Sequence, residues 1–352
     1  MTGSDSTKRL SNIEGALERV FPSRTDLGWA RRVADQEHLA LRTEDLDRIN
    51  APAWDLLRRG GKRWRPLVLI LSHELHGGTL PSIVDLSTLV ELPHNGSLIV
   101  DDIEDSADQR RGGPAIHVAH GIDMAVNTGN FLYFEPTFLL ERSGLDEATQ
   151  FRMTKLYLRV MRRLHFGQGL DIVWHNDHDY LPSRDQYLQM CRFKTGALSR
   201  LSAELGAASA GASVAQVEAI GSVWEDLGVG FQILDDVKNL SEGNAGKLRG
   251  DDIVEGKKSL PVLCHAELAP DQGRTLLDLF RQVAELRPSP DVRPLIEKAI
   301  GLMESSGGLL RAYEVGEGLL AAARGRLVED WPQGPARQSM EDLIEGFWEG
   351  LR

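Results

Sequence analysis

Apolar residues recur at helical spacing along almost all of this 352-residue chain, and the alternating pattern of a β-strand is nearly absent. The sequence therefore predicts an all-α protein. A helical bundle with peripheral helices can hold a chain of this length in one domain, so we expect a single helical domain over residues 9–352. Residues 1–8 lack the pattern and are expected to be disordered. The predicted helices lie near residues 9–21, 26–58, 64–77, 82–107, 117–143, 147–175, 184–210, 213–241, 254–268, 271–286, 290–305, 307–327 and 335–350.

Glycine and proline mark the interruptions between these helices. Ser183, followed three residues later by Gln186, has the spacing of a capping box that begins a helix. Pro93 and Pro136 fall inside predicted helices and are expected to kink them. The segment 239–258 is rich in Gly, Asp and Lys, and we predict that it forms a mobile loop over a site.

Two short acidic clusters of similar pattern each follow an apolar helical stretch. They are Asp101-Asp102-Ile103-Glu104-Asp105 and Asp235-Asp236-Val237-Lys238-Asn239. Positions i, i+1 and i+4 fall within about 100° of arc on a helix, so each cluster points its oxygen atoms toward one side.

Acidic runs usually belong to a solvated helix face, and that alternative has to be weighed. Here both helices are apolar nearly all round just before the carboxylates, which is typical of buried helices. Several carboxylates at the end of a buried segment are costly unless a cation lies beside them. Magnesium, which takes carboxylate and phosphate oxygens together, fits two such faces with a diphosphate.

The overall charge limits the class of partner. The chain has 52 acidic and 40 basic residues and a net charge of −12, which argues against nucleic acid or an anionic membrane. Cys191 and Cys264 are the only cysteines, so no disulfide framework is expected and a reducing cytoplasm is the default. The sequence has no apolar run of about 18 residues and no secretory signal, so we expect no stable membrane insertion.

An anionic substrate would have to meet local cations, and these lie near the acidic clusters. Lys62, Arg63 and Arg65 adjoin the glycine pair at 60–61, and a second basic pair, Arg110-Arg111, follows the first acidic cluster. Lys247, Lys257 and Lys258 lie in the segment 239–258. Guanidinium and ammonium groups both bind phosphate, so this order of charges favours a polyanionic substrate. Each basic pair taken alone would be read as an ordinary surface feature.

With these motifs in order, the chain resembles the trans-isoprenyl diphosphate synthases, and the likeness covers roughly residues 55–265. The motifs shared with that family are Gly60 to Pro66, Asp101 to Asp105 with Arg110, Arg111 and Pro114, Gly167-Gln168 with Asp171, Lys194-Thr195, Phe231-Gln232 with Asp235-Asp236, and the loop from Gly246-Lys247 to Gly256-Lys257-Lys258-Ser259-Leu260-Pro261. The stretches around residues 94–98 and 167–172 are similar to the eukaryotic type of geranylgeranyl diphosphate synthase.

The resemblance implies a helical bundle of the isoprenoid-synthase type around a deep central cavity, a homodimer, and two diphosphate substrates. Three magnesium ions would hold the allylic diphosphate between metal ligands Asp101, Asp102, Asp105, Asp235, Asp236 and Asn239. The allylic diphosphate would also contact Arg110, Lys194, Lys247 and Lys257, and isopentenyl diphosphate would bind Lys62, Arg65, His94 and Arg111.

The reaction implied is a head-to-tail condensation through an allylic cation, which Thr195 and Gln232 would stabilise as fixed dipoles. For three residues a structural role remains as an alternative to a role in the site. His94 could be an interior hydrogen-bonded histidine, and Gln168 and Asp171 could tie helices together instead of contacting metal or water. Asn239 departs from the family pattern, in which a third Asp is common, and removes one negative charge.

The resemblance also bears on product length. Residues four and five before Asp101 are Ser97 and Gly96, and helical side chains lean toward the N-terminus, so both are expected to line the cavity. In the family, aromatic residues there close the pocket at the farnesyl length. Because both are small here, we expect geranylgeranyl diphosphate or a longer product, and Gly96→Phe is expected to shorten it.

Two other functions remain to be compared. A class I terpene cyclase shares the helical fold, but it ionises one substrate and would leave Lys62, Arg65 and Arg111 without a role. A non-catalytic regulatory subunit of a prenyl synthase would be free to lose its metal and basic sites, which are intact here.

Overall fold

The computed structural model describes residues 3–243, 249–286, 289 and 291–351. Within these ranges nearly every element is helical, which confirms the predicted all-α fold. The first helices are α1 Gly3–Val20, α2 Leu27–Ala34, α3 Thr43–Arg58, α4 Trp64–Leu75, α5 Ile83–Leu86, α6 Thr88–Glu104, α7 Ile116–His120, α8 Ile122–Phe134 and α9 Phe138–Glu141. Between α6 and α7, two short strands, β1 Gln109–Arg110 and β2 Gly113–Pro114, pair antiparallel.

The later helices are α10 Glu147–Asn176, α11 Arg184–Cys191, α12 Ala197–Ser209, α13 Val214–Ser241, α14 Asp251–Glu255, α15 Leu260–Leu268, α16 Pro270–Leu286, α17 Val292–Ser305, α18 Gly308–Asp330 and α19 Pro335–Leu351. A 3-10 turn, Glu135–Thr137, connects α8 to α9, and a π-helical segment, Arg192–Gly196, connects α11 to α12. The capping box predicted before α11 is present: Gln186 N donates to Ser183 Oγ, and Ser183 N donates to Gln186 Oε1 at 2.8 Å.

Several predicted helices are divided in the structure, each for a local backbone reason. The predicted helix 26–58 is broken because Asp35 ends α2 in the left-handed region, with φ 48°. Gly121, with φ 89°, divides the predicted helix 117–143. Pro136 lies in the 3-10 turn that follows α8, so it accompanies a helix end, whereas Pro93 lies within α6 and the helix continues through it.

Both predicted loop segments contain helix. Helix α1 begins at Gly3, so residues 3–8, which were expected to be disordered, belong to that helix. In the segment 239–258, α13 extends to Ser241 and α14 occupies Asp251–Glu255, while residues 244–248 lie outside the described residues. The prediction of one continuous loop over 239–258 is therefore corrected.

The described residues fall into two compact units. The first unit lies within Met1–Arg159, Leu201–Gly221 and Gln333–Asp342, and the second within Val160–Arg200, Ser222–Pro332 and Leu343–Arg352. The assignment of the chain to one domain stays a prediction.

The core of the first unit joins α1, α2 and α3 to α6 and α8. Phe21 and Trp29 meet edge to face with ring centroids 6.1 Å apart, and the Trp29 indole donates to Val20 O at 2.9 Å. Leu92 and Ile99 of α6 and Leu132 of α8 are fully buried in the same cluster. This apolar packing fixes α6, which carries the first acidic cluster at its end.

Two apolar clusters lie among the described residues of the second unit. One joins Phe280 of α16 to Ile300 and Met303 of α17, and the other packs Tyr187 of α11 and Ile233 of α13 against α15. The second cluster fixes α13, which carries the second acidic cluster in its last turns. None of the described helices combines the length and the apolar content that crossing a bilayer requires.

Candidate active site

The first acidic cluster lies where α6 ends. Asp101 and Asp102 belong to the last turn, and Asp105 is the residue that caps it. The C-terminal end of a helix carries a partial negative charge, so carboxylates there repel both each other and the helix dipole. Such an arrangement is stable only beside positive charge.

One arginine supplies part of that charge. From strand β1, Arg110 Nε donates to Asp102 Oδ1 at 2.8 Å, and its Nη2 lies 3.6 Å from Asp101 Oδ2. Asp102 is fully buried, and burial raises the pKa of its carboxyl while Arg110 lowers it. Asp102 Oδ2 is buried without a hydrogen-bond partner among the described residues. A buried carboxylate oxygen with unused lone pairs is the kind of ligand that a hard divalent cation fits.

A basic cluster, consisting of Lys62, Arg65, His94 and Arg111, is the second feature of this unit. The Arg65 guanidinium stacks on the Trp64 ring, 4.3 Å from its centroid, and lies 3.5 Å from His94 Nε2. Burial lowers the pKa of Arg65 to about 10. Burial and the neighbouring arginines lower the pKa of His94 well below its usual value, so at neutral pH its ring is uncharged. The neutral ring still offers one donor and one acceptor.

Arg111 is held at the edge of this cluster by two acceptors. Its guanidinium donates to Gly60 O and, at 3.1 Å, to Asn95 Oδ1. Lys62 is exposed, on the same loop as Gly60. Hydrogen bonds therefore connect three of the residues predicted to bind isopentenyl diphosphate: Arg111 bonds to Gly60 of the loop before α4 and to Asn95 of α6, and Arg65 contacts His94 of α6.

Arg63 has a different position from its neighbours in the motif. Its side chain is buried, and it donates to Glu91 Oε1 and to Glu14 Oε1, each at 2.7 Å. The sequence predicts that Arg63, like Lys62 and Arg65, is available to a polyanion, and the structure corrects that prediction. Arg63 is an internal ion-pair partner.

The second acidic cluster lies near the end of α13. Asp235 is half-buried and Asp236 is buried. Both oxygens of Asp236 accept hydrogen bonds, from the Tyr187 hydroxyl at 2.7 Å and from Gln232 Nε2 at 2.7 Å. Burial and the nearby carboxylate of Asp252 raise the pKa of Asp236 to about 8. A carboxyl with a pKa of about 8 is mostly protonated at pH 7, so a cation that binds Asp236 would displace its proton.

Lys194 and Thr195 lie in the π-helical segment between α11 and α12. Lys194 Nζ donates to Asp171 Oδ2 at 2.6 Å, and the Thr195 hydroxyl donates to Gln232 Oε1 at 2.9 Å. π-Helical turns are uncommon and are frequently found at functional sites. The turn packs closely on α10, because a Cβ added to Gly167 would lie 2.4 Å from Lys194 N.

Asn239 and Lys257 are engaged within the second unit. Asn239 is buried, and its Oδ1 accepts from Asp252 N at 3.3 Å. Lys257 forms an ion pair with Glu255 and lies 3.7 Å from Asp252 Oδ1. To bind a metal ion as predicted, Asn239 would have to share its oxygen with Asp252 N or release it. To contact the diphosphate as predicted, Lys257 would have to turn part of its charge away from Glu255 and Asp252. Lys247 lies outside the described residues.

Across residues 3–243, 249–286, 289 and 291–351, no group of three or more His, Cys, Asp or Glu side chains is placed to hold a metal ion alone. Magnesium bound with a phosphorylated substrate takes only one or two carboxylates and fills its other positions with phosphate oxygens and waters. The paired aspartates at the end of each helix fit that mode of binding.

Comparison with known proteins identifies the family. A sequence profile of the polyprenyl synthetase family matches residues 46–291. This chain belongs to the polyprenyl synthetase family. The matched region contains every site residue predicted from the sequence.

Individual relatives of the chain agree with that assignment. It is 34% identical over 248 residues to a short chain isoprenyl diphosphate synthase of Methanocaldococcus jannaschii, covering 69% of this chain and 74% of that protein. It is 36% identical over 237 residues to a geranylgeranyl pyrophosphate synthase of Rhodocybe pseudopiperita, covering 65% of this chain and 63% of that protein. The match therefore spans less than two thirds of the fungal relative's length.

A solved structure extends the similarity to nearly the whole chain. The crystal structure of geranylgeranyl pyrophosphate synthetase from Pyrococcus horikoshii superposes with a TM-score of 0.83 at 25% identity. It covers 98% of this chain and 97% of the other. The helices beyond residue 270, which carry no diagnostic motif, are thus part of the same fold.

Several residues that order the candidate site were missed by sequence reasoning. In the first unit they are Glu91 and Asn95, and in the second they are Tyr187 and Asp252. The sequence did hold one signal: Glu91 is a charged residue in an apolar stretch, four residues before Asn95 on the same helix. Tyr187 and Asp252 lie far from Asp236 in sequence, and no local pattern connects them.

Gly96 does not line an open cavity. A Cβ added to it would lie 2.7 Å from Gly129 O and 3.0 Å from Leu132 Cβ, and a Cβ added to Gly129 would lie 3.1 Å from Gly96 O. Gly96 therefore permits the close contact of α6 with α8. Its assignment to the chain-length pocket is corrected, and Gly96→Phe is expected to disrupt helix packing. Ser97, which is half-buried, remains the predicted pocket residue.

Gly96→Ala is accordingly expected to lower the free energy of unfolding by about 1–3 kcal/mol, because the added methyl group cannot fit. Gly301→Ala is the matched control, since a Cβ on that exposed helical glycine meets no atom within 4 Å. The control should stabilise by about 0.5–1 kcal/mol. Denaturant unfolding of both variants measures the difference, and equal stabilities would refute this account of Gly96.

Lys258 is a further correction. It was predicted to lie on a mobile loop, but it is buried, and its Nζ has no hydrogen-bond partner among the described residues. Its ammonium lies 5.2 Å from the centroid of the Phe280 ring. Burial lowers the pKa of Lys258 to about 8 from a usual value of 10.5.

Lys258→Met is therefore expected to raise the free energy of unfolding at pH 7 by about 1–3 kcal/mol. Below pH 8 the buried lysine is charged in both states, and the cost of burying the charge is felt in full. Between pH 8 and pH 10.5 the lysine is deprotonated in the folded chain and still protonated in the unfolded chain, so the free energy of unfolding of the wild type rises with pH. The stability difference between Lys258→Met and wild type therefore shrinks. Lys298→Met, an exposed control on α17, should show little change at any pH. A difference as large at pH 10 as at pH 7 would contradict the prediction.

Proposed function

We propose that this chain is a magnesium-dependent trans-prenyltransferase. It would join an allylic diphosphate to isopentenyl diphosphate head to tail and produce geranylgeranyl diphosphate or a somewhat longer trans-polyprenyl diphosphate. The observation that carries the proposal is the basic cluster Lys62, Arg65, His94 and Arg111, because an enzyme that ionises a single diphosphate has no use for it. The names of the relatives and the intact acidic clusters support the same reaction.

The allylic diphosphate is assigned to the two acidic clusters. Magnesium would be held by Asp101, Asp102, Asp105, Asp235, Asp236 and Asn239, with three ions expected when substrate is bound. When bound, the metal supplies positive charge that neutralises the departing diphosphate. Arg110 and Lys194, each paired with a carboxylate in the structure, would add donors to the same diphosphate, as would Lys247 and Lys257.

The allylic carbon becomes positively charged when its bond to oxygen breaks. The Thr195 hydroxyl and the Gln232 amide are linked by a hydrogen bond, and Gln232 is held in turn by Asp236. Dipoles fixed in this way stabilise a developing cation without reorganising. The double bond of isopentenyl diphosphate then attacks the cation, and the released diphosphate accepts the proton that leaves.

Isopentenyl diphosphate is assigned to the basic cluster. Arg65 and Arg111 offer guanidinium groups, and Lys62 offers an ammonium group, so the site binds a polyanion with no metal ligand of its own. His94, whose ring is neutral at pH 7, contributes a hydrogen bond rather than a charge.

The experiment that tests the reaction is incubation of the purified chain with farnesyl diphosphate and magnesium, with and without isopentenyl diphosphate. Mass analysis should show a prenyl diphosphate of twenty or more carbons only when both substrates are present. A hydrocarbon formed from farnesyl diphosphate alone would contradict the proposal and favour a terpene cyclase. An inert chain that becomes active only beside a second, different chain would favour a regulatory subunit.

Ser97 is proposed to set the depth of the chain-length pocket. Its side chain is half-buried, and its hydroxyl donates to His94 O at 2.8 Å on the same helix. Ser97→Phe is expected to shift the main product from the geranylgeranyl to the farnesyl length, because the ring would fill space that the growing chain needs. Ser97→Ala is the control and should leave product length unchanged. An unaltered product from the phenylalanine variant would remove Ser97 from the pocket.

A homodimer is also proposed. Helix α8 exposes apolar residues at a spacing of four and eight, with Ile122 61%, Val126 40% and Phe134 65% exposed. An exposed apolar stripe of this kind is typical of a surface that another chain covers. Light scattering should give twice the chain mass of 39.0 kDa, and a monomer would refute the proposal.

A cytoplasmic location is also proposed. Both cysteines, Cys191 and Cys264, are buried and free, and free thiols are typical of proteins in a reducing compartment.

A further inference from the structure

A buried hydrogen-bonded network connects residues that the proposed reaction does not use. Glu91 of α6 is 2% exposed and Asn95, one turn later, is fully buried. Asn95 Nδ2 donates to Glu91 Oε1 at 2.9 Å, and the same oxygen accepts from Arg63 Nη1 at 2.7 Å. On its other side, Asn95 Oδ1 accepts from Arg111 Nη1 at 3.1 Å.

Glu91 is a buried carboxylate whose charge acts on three arginines, Arg63, Arg65 and Arg111. Its charge favours the protonated forms of Arg63, Arg65 and Arg111, and it raises the pKa that burial would otherwise lower in each. Glu14, the other partner of Arg63, has a side chain that is 49% exposed, so its field is weakened by solvent. Glu91 therefore offsets part of the repulsion among cations that must lie close together when no diphosphate is bound.

The backbone at both ends of the network requires support. Arg63 and Arg111 adopt the left-handed region, with φ values of 48° and 49°. For residues other than glycine this conformation is energetically unfavourable, and it is maintained only where surrounding contacts hold the residue in place. Arg63 is fixed by Glu91, and Arg111 is fixed by Asn95 and Gly60 O.

We propose that Glu91 and Asn95 are positioning residues for the second diphosphate site. Glu91 anchors Arg63, which lies between the loop that carries Lys62 and the first turn of α4, which carries Arg65. Asn95, which is hydrogen-bonded to Glu91, holds Arg111 in turn. Neither Glu91 nor Asn95 touches the substrate. This inference rests on the proposed function, in that it takes the basic cluster to be the site of isopentenyl diphosphate.

Glu91→Gln is the principal test. Glutamine keeps the shape and one acceptor but removes the charge, so KM for isopentenyl diphosphate is expected to rise by about 10- to 100-fold. KM for the allylic diphosphate and kcat with saturating isopentenyl diphosphate should stay within about twofold of wild type. Calorimetric titration with isopentenyl diphosphate alone, without metal, should show the same loss of affinity. A double variant, Glu91→Gln with Asn95→Asp, returns a carboxylate to the network and should recover part of the loss.

The control is Glu74→Gln, which removes a carboxylate paired with Arg9 at 2.7 Å in the same unit but outside the network. It should leave both KM values unchanged. If Glu91→Gln fails to fold, as thermal denaturation would show, Asn95→Ala is the alternative variant. It removes the Asn95 bonds to Glu91 and to Arg111 but leaves the Glu91–Arg63 ion pair, and it should raise KM for isopentenyl diphosphate at least several-fold.

Unchanged KM and unchanged affinity for isopentenyl diphosphate in a folded Glu91→Gln or Asn95→Ala variant would overturn the inference. An equal loss for both substrates would also overturn it, since that is the effect of general destabilisation. If the wild-type chain makes no prenyl diphosphate at all, the proposed function fails instead, so the two failures are distinguishable.

Discussion

Asp101→Asn and Asp235→Asn are each expected to lower kcat/KM by about 10³-fold or more, because each removes charge from a group assigned to magnesium. Stabilisation of a departing diphosphate by metal is worth several kcal/mol, and each 1.36 kcal/mol is about a factor of ten in rate. Both side chains are half-buried at the end of a helix, where an amide is a poorer ligand than a carboxylate.

The matched control for these substitutions is Asp108→Asn. Asp108 is exposed, and it lies three residues after the first acidic cluster. Its replacement removes the same charge from the same part of the chain but from no assigned ligand, so steady-state rates should match those of wild type. If Asp108→Asn and Asp101→Asn reduced activity equally, the effect would reflect net charge and not metal binding.

Arg65→Met is expected to lower kcat/KM for isopentenyl diphosphate by about 10²-fold, with KM for the allylic diphosphate nearly unchanged. Methionine keeps an apolar stem that can pack on Trp64 but removes the guanidinium that the basic cluster offers to phosphate. The reaction should be measured with each substrate varied in turn, so that the two constants are separated.

Arg58→Met is the control for that change. Arg58 also stacks on a tryptophan, Trp54, with 5.6 Å between its guanidinium and the ring centroid, but it is exposed and lies outside the basic cluster. It should leave both constants unchanged. An equal loss for both substrates in Arg65→Met would mean that Arg65 supports the unit as a whole.

The sequence predicted the fold class and the positions of the acidic clusters because both are local. Helical periodicity and the spacing of Asp101, Asp102 and Asp105 depend on residues within one or two turns. The capping box at Ser183 was predicted for the same reason, and the structure confirms it. Breaks such as that at Asp35 were missed, since a left-handed residue other than glycine has no strong sequence signal.

The residues that order the site were harder to predict because their partners are distant in sequence. Arg63 was predicted, with Lys62 and Arg65, to be available to a polyanion, and only the fold places it against Glu91, 28 residues away. Gly96 was read as a small pocket residue, whereas the contact that requires glycine comes from Gly129 on another helix. In both cases side-chain direction depends on which helices pack together, and a single sequence does not contain that information.

Both acidic clusters are proposed to bind one diphosphate through magnesium, and the other site assignments depend on this. The most direct test is calorimetric titration with a non-ionisable allylic thiolodiphosphate, which separates binding from turnover. Tight binding is expected with magnesium and is expected to be lost under exhaustive chelation, and Asp101→Asn and Asp235→Asn should each weaken it. Binding of equal affinity with and without divalent cations would contradict the central claim.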